Sequence, residues 1–156
     1  MPAEMTRRPV PALLPGQRAL VTGASSGIGR AIALALAEAG CDVVVNYASS
    51  EGPALEVVRQ IQGMGRRAVA VKADVGDEAQ VLAMFDRARQ EFESLDILVN
   101  NAGLQQDAPV AEMTLAQWQR VIDVNLTGQF LCAREAVKEF RRRGLDAARS
   151  RALGKI

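Results

Sequence analysis

The chain has 156 residues, 49% of them hydrophobic, with 19 Lys plus Arg against 18 Asp plus Glu and a net charge of +1. That is long and apolar enough for one globular domain with a buried core, while balanced charge gives no field to gather nucleic acid or an anionic membrane. No apolar run approaches the roughly 20 residues of a membrane span, and the absence of histidine excludes a Ser-His-Asp mechanism or a histidine-held metal in this chain.

Residues 1–15 carry prolines at 2, 9, 11 and 15. No apolar stretch follows Arg7 and Arg8, so they read as an extended arm rather than a secretory signal. Residues 16–156 read as the folded domain. Ala19-Leu20-Val21 is a short buried strand, followed by Thr22-Gly23-Ala24-Ser25-Ser26-Gly27-Ile28-Gly29 and a helix from Arg30 to Ala39 that Gly40 stops. Asp42 to Asn46 is a β-branched second strand. Pro53 suits the first turn of a helix carrying Leu55, Val58 and Ile61, closed by Gly63 and Gly65. Ala68 to Ala73 is a third strand with Val69 and Val71 on one face. Asp77 is an N-cap before a stripe of Val81, Phe85, Ala88 and Phe92. Ile97 to Val99 is the fourth strand. Thr114-Leu115-Ala116-Gln117 has the form of a capping box and opens a long helix to Arg143, with Val121, Leu126, Phe130 and Val137 expected on its buried side.

Alternating strands and helices predict an α/β fold, a doubly wound parallel sheet with helices on both faces. Ligands in such sheets bind at the carboxyl ends of strands. The glycine octet, Asn46-Tyr47-Ala48-Ser49, Asp74-Val75 and Asn100-Asn101-Ala102-Gly103 all fall at those ends. Glycines where a strand turns into a helix let main-chain N–H groups and the positive helix terminus approach a pyrophosphate. Arg30 stands where it would either reach a phosphate or be solvated. Cys41 and Cys132 have neither metal-like nor disulfide-like spacing, which suits a reducing cytoplasm. Arg141, Arg142 and Arg143 complement a helix C-terminus, Trp118 reads as a packing residue, and no metal site is expected.

Thr22 to Gly29, Asp74-Val75, Asn100 to Gly103 and Val124-Asn125-Leu126 together resemble the successive signatures of the short-chain dehydrogenase/reductase family. The resemblance covers Gln17 to about Phe140. It implies a Rossmann fold binding NAD or NADP, with Gly23, Ser25, Ser26, Gly27, Ile28 and Gly29 around the pyrophosphate and adenosine ribose. It places Asp74 and Val75 at the adenine and Asn101, Ala102 and Gly103 along the central cofactor. Val43 to Tyr47 and Asn101 to Thr114 most resemble glucose 1-dehydrogenases, with 3-oxoacyl-carrier-protein reductases the nearest competitor, so a sugar or another carbonyl or alcohol is the implied substrate. At the end of the second strand, Asn46, Tyr47 and Ala48 offer neither the carboxylate that suits NAD nor the arginine that suits NADP. Both cofactors are expected to be accepted, with a lean to NADP.

The family's reaction uses a serine, a tyrosine with a lysine four residues later, and an asparagine that orders a relay water. Only the asparagine has a counterpart, Asn125. The sole tyrosine is Tyr47, and Lys72, Lys138 and Lys155 do not follow a tyrosine at that spacing. Leu153-Gly154-Lys155-Ile156 resembles the start of the family's fifth strand, so the Rossmann sheet is expected to be incomplete and this chain alone inactive. Two readings follow: an incomplete oxidoreductase, or a dinucleotide-binding module without chemistry. The fourth strand is expected to form an open edge, and the helix over 115–143 to offer a homo-oligomer contact.

Overall fold

The computed structural model describes residues 12–156, so residues 1–11 of the expected arm lie outside the described residues. Four strands, β1 (Arg18–Val21), β2 (Asp42–Tyr47), β3 (Ala68–Lys72) and β4 (Ile97–Val99), lie parallel in the order β3-β2-β1-β4. Parallel neighbours need covering crossovers. These are α1 (Gly27–Glu38), α2 (Glu51–Gly63) and α3 (Glu78–Phe92).

The strands alternate their side chains between two cores. Ala19, Val21, Val43 and Val45 pack with α1 and α2 through Ala33, Ala37, Val57 and Ile61. Leu20, Val44 and Leu98 pack on the other face with Phe85 and Phe92 of α3 and with Leu131, Ala136 and Phe140. Both faces are covered, as the alternating pattern predicts. Asp77 caps α3 by accepting from the Gln80 N–H at 3.1 Å, a bond of about 1 kcal/mol. Val81, Phe85, Ala88 and Phe92 are all buried. On α2 the buried side is Ala54, Val57, Val58 and Ile61, with Leu55 exposed.

The helix expected over 115–143 is three pieces: α4 (Leu115–Ile122), a π-helical turn (Asp123–Thr127) and α5 (Gly128–Arg143). The capping box forms, with Thr114 Oγ1 accepting from the Gln117 N–H and the Gln117 side chain accepting from the Thr114 N–H. The expected buried face is corrected. Leu126, Phe130 and Val137 are exposed, and Val124, Leu131, Cys132, Glu135, Ala136, Glu139 and Phe140 face inward. The sequence carries two stripes at helical spacing, and the extra residue in the π turn changes the phase between α4 and α5. The inward stripe includes two carboxylates, so apolar pattern alone favours the other one. Glu135 is balanced by Arg134 and Lys138, and Glu139 by Arg142, at 2.8–2.9 Å. Trp118 is also more than half exposed, contrary to its expected packing role.

The edge of β4 is partly covered. Lys155 lies parallel to Ile97, its N–H donating to Asp96 O at 3.0 Å and its carbonyl accepting from the Leu98 N–H at 2.9 Å. Arg142 and Arg143 donate to the main-chain carbonyls of Glu93, Leu95 and Gly144, which ties the end of α5 to the loop after α3. Burial pushes the Cys41 thiol up to about 11 and the Cys132 thiol up to about 12, so neither forms a nucleophilic thiolate at neutral pH. Among the described residues no helix is long and apolar enough to cross a membrane, and no group of three acidic, Cys or His side chains could hold a metal.

Candidate functional site

In the order β3-β2-β1-β4 the chain leaves β1 to one side for β2 and returns to its other side for β4. The loops on either side of that reversal separate and leave a crevice at the strand carboxyl ends. A cavity of about 310 Å³ lies there, walled by residues following all four strands and by α4 and the π turn.

Its floor is the glycine turn. Gly23 and Gly27 have φ of +62° and +54°, conformations that side chains with a Cβ adopt at a cost. A Cβ on Gly27 would meet nothing within 4 Å, whereas one on Gly29 would stand 2.4 Å from both Gly23 O and Asn101 Nδ2. Gly27 therefore keeps the surface open, and Gly29 lets α1 press against the turn after β1 and against Asn101. Ser26, the N-cap of α1, makes no side-chain cap bond. Ser26, Gly27 and Ile28 are exposed, so no side chain of the turn covers the start of the helix, where N–H groups lack intrahelical partners.

Two asparagines and a threonine brace this floor, and a third asparagine holds the loop after β4. Asn46 is buried, its Oδ1 accepting from the Gly23 N–H at 3.1 Å and its Nδ2 donating to Val71 O and Ala73 O at 3.3 and 3.1 Å. Asn101 Nδ2 donates to Thr22 O and Gly23 O. Thr22 Oγ1 accepts from the Asn101 and Ala102 N–H groups at 2.9 and 3.0 Å. Asn125, at the middle of the π turn, accepts from the Leu104 N–H and donates to Leu104 O, both at 2.9 Å.

The structure divides the residues expected to hold a cofactor. Gly23, Ser25, Ser26, Asn46 and Ala48 line the cavity, as do Asp74, Val75, Ala102 and Gly103. Gly27 and Ile28 lie at the outward helix start, and Gly29 and Asn101 lie beneath the turn as packing and bracing residues. Tyr47 is corrected. It is buried in the α1–α2 core and does not line the cavity, and its hydroxyl donates to Glu51 Oε1 at 3.1 Å. Burial pushes its phenol above the usual range, and the Glu51 carboxylate adds to that. Asn125, the expected catalytic residue, likewise does not line the cavity, and both ends of its side-chain amide are bound to Leu104. Arg30 reaches Gln60 Oε1 at 3.0 Å on the exposed surface.

Ser49, the last residue of the expected β2 cluster, also lines the cavity, and five further lining residues were not expected: Ser50, Ala73, Leu104, Arg120 and Val124. Ser50 directly follows the β2 cluster and Ala73 directly precedes Asp74, so both were within reach of the same reasoning. Arg120 and Val124 depend on how α4 meets the π turn, which leaves no local signal. The residues present fit a dinucleotide. An uncapped helix start offers donors for linked phosphates, and Val75, Ala102, Leu104 and Val124 offer apolar walls for a base.

Residues 17–147 match the family described as short chain dehydrogenase. The chain is 49% identical over 125 residues to a 3-oxoacyl-[acyl-carrier-protein] reductase of Synechocystis, covering 80% of this chain and 51% of that one. It is similar to a short chain dehydrogenase from Burkholderia cenocepacia solved in complex with NADP. There the TM-score is 0.80 and the identity 41%, covering 81% of this chain and 52% of the other. A short chain dehydrogenase from Mycobacterium avium gives a TM-score of 0.78 at 38% identity, covering 83% of this chain and 48% of that one. The chain thus spans about half the length of these relatives.

Proposed function

We propose, since the chain belongs to the short-chain dehydrogenase family, that it binds NADP or NAD in this cavity and supplies the cofactor-holding half of an oxidation–reduction between an alcohol and a carbonyl. The observation that carries the reading is the crevice at the sheet's reversal, floored by a glycine turn whose helix start is uncapped and open. When bound, the nicotinamide supplies hydride acceptance or donation. The chain's own work is to seat the phosphates on the N–H groups at the exposed start of α1, hold the base against Val75 and Ala102, and keep both loops in register through Asn46, Asn101 and Asn125. Asn125 then acts as a positioning residue for Leu104 and the loop behind it.

Substrate choice has two readings. The likeness of Val43 to Tyr47 and Asn101 to Thr114 supports a sugar oxidised at its anomeric carbon. The Synechocystis relative supports a 3-oxoacyl thioester, and it favours that second reading. Two buried, unpaired thiols agree with a reducing cytoplasmic setting.

Titration of the folded chain with each dinucleotide tests cofactor binding. Both are expected to bind, NADP at least as tightly as NAD, because Asn46, Tyr47 and Ala48 at the end of β2 bring no carboxylate and Asp74 is the sole carboxylate among the described residues lining the cavity. A strong NAD preference would end the lean to NADP, and failure to bind either would end the reading itself. Glucose or a 3-oxoacyl thioester with either cofactor is expected to give no turnover by this chain alone. Tyr47 is bonded to Glu51 away from the cavity, and a proton-transfer group must lie within hydrogen-bond reach of the reacting oxygen. Rates that depend on Asn125 would overturn that expectation. An in-frame Ser…Tyr-x-x-x-Lys downstream in the gene separates an oxidoreductase from a binding module without chemistry.

The exposed stripe of Leu126, Phe130 and Val137 supports self-association through the helix over 115–143. Contiguous exposed apolar residues mark contact surfaces. Sedimentation is expected to show a dimer or larger species that Phe130→Glu dissociates. A wild-type chain that stays monomeric at high concentration would contradict this.

A further inference from the structure

A second, open cavity of about 390 Å³ lies at the amino ends of β1 and β4, at the opposite end of the sheet from the glycine turn. Its walls come from Leu13, Leu14 and Gln17 before β1 and from residues 147–152 and Lys155 after α5. Apart from Gln17 and Ala147, these positions fall outside the 17–147 span that matches the family. Leu13, Leu14 and Ala152 belong to its apolar side, and Arg149, Arg151 and Lys155 form its charged side. Among the described lining residues there is no carboxylate.

The charges around it do not balance. Asp146 Oδ2 is paired with Arg149 Nε at 3.1 Å, and the buried Asp96 lies 3.3 Å from Arg143 Nε and 4.0 Å from Arg149 Nη1. Arg151 and Lys155 make no ion pair among the described residues. Lys155 Nζ donates instead to two neutral oxygens, Gln17 Oε1 at 2.7 Å and Ser150 Oγ at 3.0 Å. An ammonium has three donors, so one is left. A half-buried charge with neutral partners alone lacks the counter-charge that offsets its desolvation. Gln17 is itself buried, and its Nε2 donates to Arg149 O at 3.2 Å. One fixed amide thus holds both the ammonium and the main chain that carries Arg149 and Ser150.

We propose that this cavity binds a small amphipathic anion, a carboxylate on a short hydrocarbon body. The carboxylate meets the charges of Lys155 and Arg151 and accepts the remaining ammonium donor. The hydrocarbon lies against Leu13, Leu14 and Ala152, where Leu13 is 70% exposed and gains from being covered. The inference does not use the dinucleotide reading and stands apart from it.

The test is calorimetric titration of the full chain with hexanoate, 1-hexanol and inorganic phosphate, each with and without NADP. Hexanoate is expected to bind at least about tenfold tighter than either control, since the alcohol lacks the charge and phosphate lacks the apolar body. NADP is expected to leave that affinity unchanged, because the two cavities lie at opposite ends of the sheet. Arg151→Glu, at an exposed position, is expected to lower hexanoate affinity about tenfold or more and to leave the melting temperature within about 2 °C. Lys155→Met is expected to remove the preference over 1-hexanol. It also leaves the buried Gln17 Oε1 without its donor, so Arg151→Glu decides the case if that variant does not fold. Absent or non-saturable hexanoate binding, a control bound as tightly, competition by NADP, or full affinity in Arg151→Glu would each overturn the site. A chain that binds hexanoate in this way but no dinucleotide would uphold the site and end the cofactor reading alone.

Discussion

Gly29→Val is expected to lower dinucleotide affinity about 100-fold or more and to destabilise the fold by roughly 1–3 kcal/mol. A Cβ at this position would stand 2.4 Å from the Gly23 carbonyl oxygen and 2.4 Å from Asn101 Nδ2. The first is main chain, and the second is fixed by its bonds to Thr22 O and Gly23 O. Neither yields without moving the turn. Displacing α1 from the turn misaims the N–H groups at its start. Two lost hydrogen bonds to a charged phosphate, at roughly 1.5–3 kcal/mol each, account for the affinity change. For a chain of this size 1 kcal/mol shifts the melting temperature by about 2–4 °C, so thermal melts and titration report the two effects separately.

The control is Gly52→Ala, in the first turn of α2, where an added Cβ meets nothing within 4 Å. There the gain in helix preference should leave stability unchanged or raise it by about 0.4–1 kcal/mol, with binding unaffected. If Gly29→Val behaves like Gly52→Ala, the close packing of α1 on the β1 turn has no role in the site.

The architecture was legible in the sequence because strand alternation and turn residues are local signals. Val43 and Val45 against Val44, the Asp77 cap and the Thr114–Gln117 box each depend on a few neighbouring residues. The buried face of α5 was not legible. Its phase depends on a π turn that no residue type announces, and the inward stripe hides Glu135 and Glu139 behind cations that the fold supplies. In the site, the cluster positions were readable and the roles were not. Residue type shows that Asn46, Asn101 and Asn125 lie near a ligand cavity, but not that main-chain groups already occupy their amides. Tyr47 carried a readable signal. It shares strand parity with Val43 and Val45, and so belongs with the α1–α2 core rather than with the cavity.

Asn46→Asp is expected to destabilise the chain by several kcal/mol at neutral pH, despite changing one atom. The Asn46 Nδ2 donates to Val71 O and Ala73 O at 3.3 and 3.1 Å, and a carboxylate oxygen in its place would face two carbonyl oxygens without a proton between them. A buried charged group without a partner is among the costliest single changes. The variant escapes by binding a proton, which restores one donor, so burial and the two carbonyls raise the folded-state pKa of the new side chain above the roughly 3.9 of an unfolded aspartate. A group with a raised folded pKa favours the fold below the unfolded value, and that contribution is lost as pH rises through the folded one. The gap in melting temperature between wild type and Asn46→Asp should therefore widen from pH 5 to pH 8. Asn46→Leu, which removes all three bonds and cannot titrate, should be destabilised by roughly 3–5 kcal/mol with no comparable widening. A gap for Asn46→Asp that stays constant across this range would mean that the position is hydrated or mobile, and that the brace between β2, β3 and the glycine turn is not what holds the cavity floor in place.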